Sequence, residues 1–136
     1  MNLVMGYGVA VGWAIAFMAP AFVIRWVFGR LNLFSLRTAS ERHDAAVGHV
    51  LRGLYIALAI ISLAAIQSTR SLSWALIDTI ISMALVLVFF KVYDWLDRRD
   101  FSAELAAGNE MLGMEIEGLF IVLAAVIVGA MNLLGS

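Results

Sequence analysis

Three carboxylates, Glu110, Glu115 and Glu117, stand at the mouth of a long apolar run that includes "MEIEGLFIVLAA" at residues 114–125. A carboxyl group carried into lipid favours its neutral form, so it can trade protons near neutrality or draw a cation to itself. Arg52 lies about two helical turns into another apolar run, with His49 three residues before it and therefore on the same helical face. Asp78 enters a third run from its other end, with Ser82 one turn further in. These residues divide into two half-paths for protons or ions: an inner cluster of Arg52, Glu117, Glu115, Glu110 and His49, and an outer acid, Asp78. An unpaired charge at mid-membrane costs about 2.5–3.5 kcal/mol, which makes Arg52 with Glu117 the first ion pair to expect. Glu115 lies about 200° around the helix from Glu117, so it needs another partner, with Arg25, Lys91 or the headgroups in reach. The same charges also suit a static role, locking helices in register.

The elements that must carry these residues are helices in a membrane. The chain has 136 residues, 63% of them hydrophobic, and a mean hydropathy of +0.96, well beyond the roughly 45–50% apolar content of soluble domains. Four stretches, about 4–29, 46–67, 74–95 and 111–134, reach the roughly 20 residues needed to span a bilayer. The expected fold is therefore all-α, a polytopic membrane protein of four transmembrane helices forming one membrane domain over residues 1–136. Cysteine is absent and the net charge is −1, which argues against thiolate chemistry and against nucleic acid as a partner. No Ser/His/Asp grouping, P-loop or spaced set of metal ligands is present, so neither an enzyme nor a metal or other cofactor is expected. The first residues lack a basic segment and a cleavage site, so the first helix should remain in place.

Arg25, Arg30, Arg37 and Arg42 flank the first link and Lys91, Arg98 and Arg99 the third, whereas the second link, "STRSLS", carries only Arg70. The positive-inside bias puts the first and third links in the cytoplasm and both termini outside, periplasmic in a bacterial inner membrane. Trp74 and Tyr7 then suit the outer headgroup level, and Trp26, Tyr93 and Trp95 the inner one. "TASE" at 38–41 fits a capping box that starts the second helix near residue 39, and the last helix should start near Ser102 with Glu104 in its first turn. Both helices would project into the cytoplasm. Pro20 is expected to kink the first helix.

Sliding the sequence by 65 residues lays "GHVLRGLYIALA" (48–59) over "GMEIEGLFIVLA" (113–124). Gly48 then meets Gly113, Gly53 meets Gly118, and Leu54–Ala59 meets Leu119–Ala124 with only Tyr-to-Phe and Ala-to-Val changes. The match suggests two parallel two-helix repeats, about 4–67 and about 74–134, related by an axis along the membrane normal. It brings Arg52 and Glu117 to equivalent depth. Two tandem two-helix units, each with a short charged link and a helix that begins rich in small residues ("HDAAVGHVLRG", "GNEMLGMEIEG"), resemble the YjfL-like family of small bacterial inner-membrane proteins, built on a repeated domain of unknown function. Family members tend to carry "NTAA" where this chain reads His43, Asp44, Ala45, Ala46. The resemblance implies a location and a helix count, without an assigned chemistry.

Gly48, Gly53, Gly113 and Gly118, with Ala57, Ala64 and Ala124, are expected to let the second and fourth spans approach closely. Gly8, Gly12 and Ala16 form a second ridge, suited to packing within the chain or to a homodimer. Besides the lipid bilayer, the expected partner is a second copy, a homo-oligomer with a dimer favoured. The functional expectation is a small integral membrane protein that moves protons or cations through these intramembrane charges. The alternative is a structural or regulatory subunit that docks a partner protein through its charged helix ends.

Overall fold

The computed structural model describes residues 2–31, 45–69, 71–97 and 101–135. They form α1 (Leu3–Leu31), α2 (Ala45–Thr69), α3 (Leu72–Asp97), a short α4 (Phe101–Ala106) and α5 (Glu110–Gly135), with no strand among the described residues. Helices α1, α2, α3 and α5 are each long and apolar enough to cross a membrane. Lipid offers backbone amides and carbonyls no partner, so runs this apolar must satisfy those groups within the segment, as a helix does. With 25 to 29 residues each, they extend about 37–44 Å. That exceeds the roughly 30 Å hydrocarbon layer, enough length for their ends to reach the headgroups.

Helices α2 and α5 lie side by side and run in the same direction: Ala46 meets Gly113, and further along both helices Gly53 meets Glu117. A methyl group on Gly53 would lie 2.6 Å from Glu117 Cα, and one on Gly113 would collide with the Ala46 carbonyl. Glycine is required at these two positions because backbone packs on backbone there. Gly48 and Gly118 do not share in the seam, since neither has a neighbour within 4 Å of the added carbon. Each is five residues from its partner glycine, a rotation of about 140°, so one seam can use only one of each pair. Ala57 and Ala124 are buried and Ala64 is half-buried.

Four phenylalanines from four helices, Phe28, Phe90, Phe101 and Phe120, are fully buried. Phe90 lies 5.2 Å from Phe120, 6.0 Å from Phe101 and 6.2 Å from Phe28, centroid to centroid. These separations suit tilted aromatic pairs. The knot ties α1, α3 and α4 to α5 one turn beyond Glu117. Helix α1 joins it only through its second half. It runs on through a buried Pro20, and Ile24 and Phe28 enter the core, but no residue from Leu3 to Ala19 is buried. Nothing lies within 4 Å of a carbon added at Gly8 or Gly12, so among the described residues these two glycines pack against no other helix, while Ala16 is half-buried.

The last span does not begin near Ser102 as one projecting helix. The chain breaks after α4, where Gly108 takes φ +86°, a conformation open to glycine at little cost. Gly108 N–H donates to the Leu105 carbonyl at 3.0 Å and Asn109 N–H to the Glu104 carbonyl at 3.1 Å, the paired bonds that end a helix on a left-handed residue. Asn109 Oδ1 then accepts from Leu112 N–H at 3.1 Å and starts α5 as its N-cap. Helix α4 folds back toward the bundle because Phe101 and Leu105 are both fully buried. Glu104 lies in its first turn. The Thr38–Glu41 capping box lies outside the described residues.

Candidate functional site

His49 and Arg52 occupy the stretch of α2 between the two glycine contacts, where they meet Glu117 and, one turn before Gly113, Glu110. Arg52 Nε donates to Glu117 Oε2 at 2.9 Å. Arg52 Nη2 lies 2.9 Å from His49 Nδ1, which is itself 3.2 Å from Glu117 Oε2. The other ring nitrogen, His49 Nε2, lies 3.3 Å from Glu110 Oε1. Helical spacing explains the grouping: Glu110 and Glu117 are two turns apart on one face of α5, and His49 and Arg52 are three residues apart on α2. The glycine contacts bring the two backbones close enough for short side chains to meet.

The site has a wet edge and a sheltered edge. The Glu110 and Arg52 side chains are 58% and 59% exposed, against 19% for His49 and 17% for Glu117. Hydrogen-bond chemistry then limits what His49 can do. A guanidinium only donates, so the Arg52 contact requires His49 Nδ1 to accept, which leaves the proton on Nε2, facing Glu110. If Nδ1 instead carries a proton, it donates to Glu117 and loses Arg52. The two arrangements exclude each other at one nitrogen while using the same heavy-atom positions.

Glu115 is exposed and does not join this cluster. Tyr93 Oη approaches its Oε1 at 3.5 Å, long for a hydroxyl donor. Among the described residues neither Arg25 nor Lys91 pairs with Glu115, and the Lys91 ammonium instead lies 5.7 Å from the Phe90 ring centre. Asp78 stands at the far end of the bundle, beside Ser68, Ser82 and Asn132. From Glu117 to Asn132 is fifteen residues of α5, about 22 Å. The intervening core positions, Leu54, Ala57, Ile61, Val86, Phe120 and Ala124, are buried and apolar. Ser68 and Asn132 were not singled out from the sequence, and Tyr93 only as an aromatic for the inner headgroup level. Counting depth back from the far ends of α2 and α5 identifies Ser68 and Asn132, which fall opposite Asp78; Tyr93 carried no such signal. Thr79 Oγ1 is buried with no hydrogen-bond partner among the described residues, and nothing in the structure accounts for it. No three His, Cys, Asp or Glu among the described residues group to hold a metal ion.

Fold and site together define a multi-pass helical membrane protein whose central parallel helices are joined by an Arg–His–Glu network at one end. The family described as Domain of Unknown Function (DUF350) matches residues 2–131, and the chain belongs to it. Neither a curated protein nor a solved structure matches it.

Proposed function

We propose that this protein moves protons, or cations coupled to them, and that Glu110, His49 and Glu117 form a relay on one side of the membrane. The His49 ring carries the reading: one nitrogen faces the exposed Glu110 and the other the sheltered Glu117. An imidazole can take a proton at one nitrogen while releasing another from the opposite one, which suits it to shuttle between two carboxylates. Arg52 holds Glu117 in place, and Glu115 and Asp78 are the further acids of the path. We take the seam to lie between the second helices of two tandem two-helix repeats of the YjfL-like kind. The protein would sit in the bacterial inner membrane with both termini periplasmic, so that the relay opens to the cytoplasm. Its exposed Gly8 and Gly12 ridge would pair two copies.

The test is flux into liposomes under an imposed pH gradient. Glu117→Gln should slow pH equilibration by roughly tenfold or more, the scale of one positioned proton carrier, and His49→Gln should slow it comparably. A second reading is favoured by the apolar core between the two ends: a subunit whose ion pairs fix helix register and whose charged ends dock a partner protein. On that reading the wild-type protein carries no flux above empty liposomes, and Glu117→Gln lowers only thermal stability. Wild-type flux that E117Q and H49Q leave unchanged would also rule out the relay.

A further inference from the structure

At the end of the bundle away from the relay, α2, α3 and α5 enclose a small cavity of about 30 Å³. Its polar lining is Asp78, Ser82, Ser68 and Asn132, and the rest is apolar. Ser82 is 6% exposed, and its side chain lines the cavity. Asp78 has neither a hydrogen bond nor an ion pair among the described residues. Ser68 donates to the Ala65 carbonyl at 3.4 Å, which leaves its oxygen lone pairs free. The cavity shares Asp78, Ser68, Met131 and Asn132 with a much wider depression, also lined by Trp74 and Ile77, that opens to the surface. A route from outside to Asp78 is therefore built in.

We propose that Asp78, Ser82, Ser68 and Asn132 bind a single small alkali cation such as sodium. All four offer oxygen atoms: one carboxylate, two hydroxyls and one amide carbonyl, the donor set preferred by hard cations. One carboxylate matches one positive charge. A divalent ion would need more carboxylate or several retained waters. The cation neutralises the Asp78 carboxylate where it meets the bundle interior, and the hydroxyl and amide oxygens beside it complete the coordination. The inference does not rest on the relay, which lies about 22 Å away and is measured by flux.

The experiment uses the full chain purified in detergent, with sodium chloride replacing choline chloride at constant ionic strength and pH. Radioactive sodium should bind saturably at one ion per chain, and the thermal unfolding midpoint should rise along the same curve. Asp78→Asn should abolish both effects. Ser82→Ala, which keeps the charge and removes one contact, should weaken binding about tenfold, the scale of one charge-assisted contact, and it serves if D78N does not fold. Absence of saturable sodium binding to the wild type overturns the proposal. So does binding that survives D78N or is unmoved by S82A, or a midpoint that follows pH and ignores sodium, which marks a proton on Asp78 alone.

Discussion

Arg52 serves two acceptors from two edges of one group, Nε toward Glu117 and Nη2 toward His49. Lysine cannot copy this, because an ammonium is a point donor without the planar fork. As long as the arginine contact holds, His49 Nδ1 must stay unprotonated. Arginine-bound Nδ1 should therefore be visible as a nitrogen-15 signal typical of an unprotonated ring nitrogen, in protein labelled at histidine. The chain has two histidines, so His43→Gln isolates the signal. Arg52→Gln, and to a lesser extent Arg52→Lys, should move the proton to Nδ1 as Glu117 becomes its acceptor. A tautomer that stays the same in all three proteins would mean that the 2.9 Å contact does not govern the ring, and the relay would lose the group that sets its resting state.

The elements that hold this site depend on glycine in two different ways. Gly108 is needed for its backbone angle, and alanine there should cost about 1–2 kcal/mol with no loss of space, since nothing lies within 4 Å of the added carbon. Gly53 is needed for its missing side chain, and alanine there should cost about 1–3 kcal/mol by forcing α2 away from α5. Both costs can be read from denaturation in detergent. Only G53A should also break the Arg52–Glu117 contact and change the His49 nitrogen signal, because G108A leaves the seam intact. The two glycines also show what a sequence can disclose. Gly53 was identifiable because Gly53, Arg52 and the apolar run after them set depth and face on a single helix. That Gly113, and not Gly118, would be its counterpart in the seam was not, since helix rotation is fixed by contacts between elements. The break at Gly108–Asn109 was readable in principle as a left-handed stop followed by an N-cap, but the favourable Glu104 beside Ser102 suggested an earlier start. Fold-back of α4 depends on Phe101 finding Phe90, a contact with no periodic trace in the sequence.

At the scale of the molecule, hydropathy alone sufficed for the four spans because lipid leaves the backbone so few alternatives. The position of α1 was not legible, since apart from Arg25 and Arg30 near its end it carries no charge and no pattern tells a lipid-facing half from a packed one. Its first half buries no residue, and the absence of native cysteine makes both its environment and the sidedness of the bundle testable with single thiols. If Gly8 and Gly12 face a second copy, Gly8→Cys and Gly12→Cys should cross-link to dimers under mild oxidation in membranes. Ala10→Cys, about 200° around the helix from Gly8, should not. If the basic links lie in the cytoplasm, Ala107→Cys in intact cells should resist a membrane-impermeant maleimide until the membrane is opened, whereas Ser73→Cys at the other end should react at once. Both introduced thiols sit at exposed positions, so burial does not explain a difference between them. The reversed labelling pattern would turn the relay toward the outside and the Asp78 cavity toward the cytoplasm. Cross-linking at all three α1 positions, or at none, would remove the case for a pair of copies meeting on this ridge and leave the two ends of one chain, separated by its apolar core, to account for any flux.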